Sequence, residues 1–244
     1  MTVDVLPLIE DKIAAAFTMD AVQFTPFLNL EESAAALDII RHSGAFYKLW
    51  GGFDGAQRQM IALSGEACDI SFPISILKGT WDKFSEISHR DVLGAVLASG
   101  IERKCLGDIL LQPKEHVFYI FSQEKMAPFI LQHVSSIGRA SVRFEIATQA
   151  EQLPAPVFRE IRVSVSSLRI DCVMAAVGNF SRTACRDLIE GKKVFLNHAL
   201  VVKPTSSVSV GDTLIIRGIG KFSVEEIGGL SRKGKTYIFV KQYC

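Results

Sequence analysis

The chain has 244 residues, with 27 Lys plus Arg against 26 Asp plus Glu, a formal charge of +1, and 48% apolar residues. High apolar content with almost no net charge excludes a chain that is disordered throughout, and the length allows one large domain or two to three small ones around a sizeable core. The longest run free of Lys, Arg, Asp and Glu extends from Met126 to Gly138, short of the roughly 18–20 apolar residues of a membrane helix.

Taken in chain order, the first segment shows helical periodicity at Val5, Leu8, Ile9, Lys12, Ile13, Ala16 and Phe17, and again from Ser33 to Ile40. Two strand-like runs follow, Ala45 to Trp50 and Gln59 to Leu63, joined by Gly51-Gly52-Phe53-Asp54-Gly55. A Gly-rich link between apolar runs is a hairpin turn. A phosphate cradle would need a helix N-terminus after it, and Gln59 to Leu63 reads as strand.

The middle segment reads as strand (Ile70 to Leu77), helix (Asp91 to Ser99), strand (Asp108 to Leu111), strand (His116 to Phe121), helix (Lys125 to His133) and strand (Ser141 to Ala147). This is the β-α-β-β-α-β order of a ferredoxin-like unit, a frame that RNA-recognition domains share. The aromatics of His116 to Phe121 alternate as a base-stacking strand would. The run lacks the basic-Gly-aromatic pattern of such strands, so core packing is expected for most of it.

Thr148 to Pro156, with Pro154 and Pro156 close together, reads as a linker. A strand from Val157 to Ser164 then leads into two short helices, Leu168 to Val177 and Arg182 to Glu190. Strands are expected at Val194 to Leu196, Leu200 to Val202, Thr213 to Arg217, Lys221 to Ile227 and Thr236 to Lys241. Charge is uneven: from Val163 onward there are 12 Lys/Arg and 6 Asp/Glu, against 15 and 20 before it. A basic third on an acidic body suggests a polyanionic partner; chance segregation of surface charge accounts for it equally.

Catalytic and metal motifs are lacking. His89-Arg90-Asp91 opens like a kinase catalytic loop, but Val96 stands where that loop needs Asn. Ser88 as N-cap with Asp91 at the third helical position explains the triplet as a capping box. The five histidines (His42, His89, His116, His133, His198) are scattered and form no His-x-x-x-His pair. The five cysteines (Cys68, Cys105, Cys172, Cys185, Cys244) include no C-x-x-C pair, against both a disulfide framework and a zinc site. Asp4, Glu10 and Asp11 stand where an export signal would be basic and then apolar. A cytoplasmic, non-enzymatic protein without cofactor or membrane association is expected.

The informative stretch is Ser167 to Asp212. Arg182 and Arg186, four apart, share one helix face, with Cys185, Leu188 and Ile189 on the other. Ser181 sits at the N-cap position. Two guanidiniums beside a helix N-terminus make an anion grip able to hold successive phosphates. Lys192 and Lys193 extend the positive edge, and Arg169 adds a charge from the first helix. On spacing alone, a solvated basic helix face is the commoner outcome.

Leu168-Arg-Ile-Asp171, Ser181-Arg-Thr-Ala-Cys-Arg-Asp-Leu-Ile189, Val194-Phe-Leu-Asn197, Lys203-Pro204 and Val210-Gly-Asp212 resemble the alpha-L RNA-binding motif of a small-subunit ribosomal protein, bacterial tyrosyl-tRNA synthetases and many pseudouridine synthases. Upstream, Trp50-Gly-Gly-Phe-Asp-Gly-Ala-Gln-Arg58, Ser88-His-Arg-Asp-Val-Leu-Gly94, Gly100-Ile-Glu-Arg103 and Gly107-Asp-Ile109, with Arg217-Gly-Ile-Gly-Lys-Phe222 near the end, look like the YlmH family. The resemblance implies an α+β chain: a small N-terminal α/β segment (1–76), a ferredoxin-like RNA-binding domain (77–162) and a C-terminal alpha-L RNA-binding domain (163–244). It implies RNA contacts by Arg169, Ser181, Arg182, Arg186, Lys192, Lys193, Asn197 and Lys203.

Departures from the motif are local. The usual Gly comes one position early, at Gly191, which leaves Lys192 where φ > 0 is preferred. His198 follows Asn197 where Gly is common, Phe195 replaces a residue that is often basic, and Gln57 stands where Glu is more frequent. The implied function is recognition of structured rRNA or tRNA by a monomer on the large ribosomal subunit, in quality control of stalled translation. The rivals are a cell-division interaction protein and a pseudouridine synthase-like enzyme; against the latter, the module comes last and His89-Arg90-Asp91 lacks the Leu of an Arg-Leu-Asp motif.

Overall fold

The structure, a computed structural model, describes residues 5–19, 21–147, 153–154 and 158–243. It divides into two compact units, Met1–Ala155 and Pro156–Cys244. The expected linker at 148–156 lies outside the described residues except for Leu153 and Pro154.

The first unit runs α1 (Val5–Thr18), β1 (Gln23–Phe24), α2 (Leu30–Ser43), β2 (Phe46–Trp50), β3 (Met60–Ser64), β4 (Ile74–Trp81), α3 (His89–Ala98), β5 (Leu106–Gln112), β6 (Val117–Gln123), α4 (Ala127–His133), β7 (Ser136–Ile137) and β8 (Ala140–Ile146). The apolar stripes of α1 and α2 cover a three-stranded antiparallel sheet of order β1-β3-β2, burying Ile9, Leu37, Ile40, Ile61 and Leu63 together. β3 is buried on both faces, because Met60 packs into a second cluster with Phe27, Tyr119 and Phe121. This is why its sequence is a continuous apolar run.

β4 to β8 form a sheet of order β5-β6-β4-β8-β7, antiparallel throughout. With β7 set aside as a short edge, this is the strand order of the split βαβ unit. α3 and α4 contribute Val92, Val96, Ala127 and Ile130 to the cluster that also holds Leu77, Phe118 and Ile120. β6 is therefore central and buried on both sides. Phe118, Tyr119, Ile120 and Phe121 are at most 6% exposed, so the aromatic alternation serves the core and offers no stacking face. Gly79 of β4 admits the Phe118 ring, since a Cβ there would lie 2.1 Å from Phe118 Cζ.

β4 begins four residues later than Ile70 and continues to Trp81, because Pro73 has no N–H for the ladder. Ser88 and Asp91 form the capping box of α3: the Ser88 N–H donates to the Asp91 carboxylate at 2.9 Å and the Asp91 N–H donates to Ser88 Oγ at 3.3 Å. The Gly-rich link after Trp50 is a turn latched to β5. The Gln57 and Arg58 N–H groups donate to the Asp108 carboxylate, and Arg58 Nη2 donates to the Phe27 carbonyl at 2.8 Å. Arg103 Nη1 donates to the Leu106 and Gly107 carbonyls at 2.8 and 3.0 Å. Burial, and then the neighbouring Arg58 charge, push the Arg103 guanidinium down to about 10. Burial also raises the Asp108 carboxyl despite its two N–H donors.

The second unit runs β9 (Phe158–Val165), α5 (Ile170–Gly178), α6 (Arg182–Glu190), β10 (Val194–Leu196), β11 (Ala199–Leu200), β12 (Thr213–Ile216), β13 (Gly220–Leu230) and β14 (Thr236–Tyr243). Its antiparallel sheet has the order β11-β10-β12-β13-β14-β9. The helix pair contributes Ile170, Val173, Met174, Cys185 and Ile189 to a core shared with Val194, Leu214, Ile216, Phe222, Ile238 and Val240.

Candidate nucleic-acid interface

α6 is built to expose charge. Cys185 and Ile189 are buried while Arg182, Thr183, Arg186 and Asp187 are exposed, which is the face division that a 3.6-residue period imposes. Ser181 is the N-cap: its Oγ accepts from the Ala184 N–H at 3.1 Å, and its carbonyl accepts from the Cys185 N–H at 3.0 Å. The N–H groups of Arg182 and Thr183 lie ahead of the first intrahelical bond and point toward the approach to the helix. Arg182 and Arg186 are one turn apart and form no ion pair among the described residues. The positive helix end and two unneutralised guanidiniums thus act on the same side, the arrangement that favours an extended polyanion.

The other end of α6 explains the early glycine. Gly191 has φ −73°, and Lys192 adopts the left-handed conformation at φ 55°. The Lys193 N–H donates to the Leu188 carbonyl at 2.9 Å and the Lys192 N–H to the Ile189 carbonyl at 3.0 Å. These are the two bonds of a Schellman motif, with lysine at the position that usually holds glycine. Both lysines are exposed there and have no carboxylate partner among the described residues.

The remaining candidates lie in different surroundings. Arg169 precedes α5 and folds onto Asp171, with Nε to Oδ1 at 3.1 Å and Nη2 to Oδ2 at 2.7 Å. The N-terminus of α5 is closed by protein: the Ile170 and Asp171 N–H groups donate to the Ser206 and Pro204 carbonyls at 2.8 and 3.2 Å. Lys203 is exposed in the turn that supplies those carbonyls. Asn197 and His198, at φ 50° and 62°, form the two-residue turn between β10 and β11, the left-handed pair that favours Asn-Gly in such hairpins. Asn197 is engaged on both sides, its Nδ2 donating to Asp212 and its Oδ1 accepting from the Thr213 N–H at 2.8 Å. The structure thus sets Ser181 and Arg182 at the start of α6, Arg186 one turn along it and Lys192 and Lys193 just past its end, while Arg169 and Asn197 are engaged with Asp171 and Asp212.

A second basic element went unnoticed in the sequence. The turn between β13 and β14 carries Arg232, Lys233 and Lys235 in four residues, all exposed. The signal was present as a charge cluster around Gly234 between two strand runs. Elsewhere, no group of three His, Cys, Asp or Glu side chains among the described residues is placed to hold a metal ion. None of the described helices is long and apolar enough to cross a membrane.

A family model described as "Putative RNA-binding domain in YlmH" matches residues 70–151, the span of the split βαβ sheet. The chain is also 29% identical over 219 residues to the Ribosome-associated protein quality control protein P2 of Bacillus subtilis, a match covering 88% of this chain and 84% of that one. Residues 70–151 are thus similar to the RNA-binding domain of YlmH. A solved structure, the cell division protein ylmH from Streptococcus pneumoniae, covers 61% of this chain and 92% of its own at a TM-score of 0.52 and 24% identity. At that identity the likeness speaks for the fold. The α5–α6 helix pair lies in the second unit, outside the residues that the family model matches.

Proposed function

We propose that this protein is a YlmH-like, non-enzymatic RNA-binding protein that recognises structured rRNA or tRNA on the large ribosomal subunit during quality control of stalled translation. The observation that carries this reading is the α6 end: two exposed, unneutralised arginines beside a serine-capped helix N-terminus, with Lys192 and Lys193 beyond its C-terminus. Such a surface grips phosphates and selects by the spacing of the backbone, so folded RNA suits it better than a base sequence does. The name of the Bacillus subtilis relative supports the ribosomal setting, and the match to an RNA-binding domain model in the first unit supports a second RNA contact there. The protein acts as a cytoplasmic monomer in this account.

The test is pelleting of the purified chain with isolated large and small ribosomal subunits, and with large subunits that retain peptidyl-tRNA. The account expects enrichment on the large subunit, strongest on the peptidyl-tRNA complex. Equal recovery with both subunits, or with neither, overturns it. A uridine-modification assay on total RNA should leave the RNA unchanged.

A further inference from the structure

The β13–β14–β9 side of the second unit's sheet has an outer face that the helices do not cover. On β14, Ile238 and Val240 are buried in the core, so the alternate residues Tyr237, Phe239, Lys241 and Tyr243 point the other way. The register with β9 sets Arg162 opposite Phe239. The exposed Arg162 guanidinium lies 4.0 Å from the Tyr237 ring centroid and 5.5 Å from that of Phe239. On the β13 flank stand Gly228 and Gly229. A Cβ on Gly228 would come within 3.2 Å of Phe239 Cε2, so glycine leaves the edge of that ring uncovered.

The same corner is strongly basic. The β13–β14 turn is closed by the Ser231 N–H on the Lys235 carbonyl at 2.7 Å and by the Lys235 N–H on Ser231 Oγ at 3.0 Å. It holds Arg232, Lys233 and Lys235 beside the strand that carries Tyr237. Of the carboxylates on β13, Glu225 is paired with Lys241 at 2.8 Å, and Glu226 is the one in register with Phe239. Arg162 therefore lies on two half-buried rings, and the turn that leads into their strand adds three exposed cations, with Glu226 as the carboxylate of β13 opposite Phe239. Cations alternating with aromatic rings suit unpaired nucleotides, whose bases stack on rings and guanidinium planes while their phosphates follow the cations. A duplex keeps its bases stacked on each other and has no use for the rings.

We infer that this face is a binding site for unpaired RNA, with bases stacked on Tyr237, Phe239 and the Arg162 plane and the adjoining phosphates held by Arg232, Lys233 and Lys235. The inference rests on reading the chain as an RNA-binding protein and adds a single-strand site to the helix-end grip on the opposite side of the sheet.

The test measures fluorescence anisotropy of the full chain with a labelled, unstructured ten-nucleotide RNA and, separately, with a stable RNA hairpin. Tyr237→Leu/Phe239→Leu, which keeps apolar bulk, should weaken single-strand binding about tenfold or more and leave hairpin binding within about twofold. Lys233→Glu/Lys235→Glu, confined to the exposed turn, should also weaken single-strand binding and guards against a folding defect in the strand variant. The inference fails if the parent does not bind the single strand, or if both variants bind it as the parent does. Parent pelleting with large subunits that persists alongside such a failure would leave the α6 reading standing.

Discussion

Asn197 Nδ2 donates to Asp212 Oδ1 at 2.7 Å across fifteen residues of sequence. The same amide's oxygen accepts from the Thr213 N–H at 2.8 Å, and Asp212 Oδ2 accepts from the Ser209 N–H at 2.7 Å. Asn197 thus ties the β10–β11 turn to the Val210-Gly-Asp212 turn, while its own backbone sits at φ 50°. Asparagine at this position has a structural reason that is independent of RNA.

Asn197→Ala should accordingly cost about 1–2 kcal/mol through the lost hydrogen bonds and the left-handed backbone. Thermal melting checks the loss of stability, and RNA affinity measured well below the melting range should stay near that of the parent. A melt unchanged by the substitution, with affinity lost, would make Asn197 an RNA contact first.

Lys192 couples stability to charge in the opposite way. A lysine at φ 55° carries backbone strain that glycine does not, so Lys192→Gly should stabilise the second unit by roughly 0.5 kcal/mol once glycine's greater unfolded-state freedom is set against it. RNA affinity should fall, because one exposed cation is removed. Chemical denaturation and RNA titration of the same sample read the two effects, and a variant that gained in both would contradict the role of the side chain.

The α3 cap makes a pH-dependent prediction. The Ser88 hydroxyl and then the Ser88 N–H hold the Asp91 carboxyl below its ordinary 3.8. A carboxylate lowered by folding contributes stability that is complete above the unfolded value and fades as acid carries the pH through the folded value. Asp91→Ala should therefore lower Tm near neutral pH, and the gap from the parent should close in strong acid. Ser88→Ala should cost about 1 kcal/mol as a lost N-cap. RNA binding by either variant should match the parent at temperatures where both are folded.

What was legible in the sequence was what neighbours in sequence decide. Ser88 with Asp91, Ser181 before α6, the left-handed position of Lys192 after Gly191, and the burial split of α6 all involve residues within one or two helical turns. The core role of the aromatic run His116 to Phe121 is legible too, since an interior strand between two layers is apolar on both faces. What escaped notice joins distant residues: Asn197 with Asp212, Arg58 with Asp108 across fifty residues, and Arg162 with Tyr237 and Phe239 across the β9–β14 pairing. Arg169 escaped for another reason. At two residues' separation its pairing with Asp171 depends on the extended backbone of the N-cap, φ −69° and ψ 144°, which charge spacing does not reveal.

The central claim is that exposed cations on α6 grip RNA phosphates, and the most direct measurement is ribosome co-sedimentation across a salt series for the parent and for Arg182→Glu/Arg186→Glu. Both side chains lie off the buried face of the helix, so circular dichroism of the variant should match the parent. Each phosphate contact contributes roughly 0.7–0.9 to the steepness of the log–log salt dependence, so the variant should bind more weakly with a slope flatter by about 1.4–1.8. A variant that pelleted with the parent's affinity and the parent's slope would contradict the account.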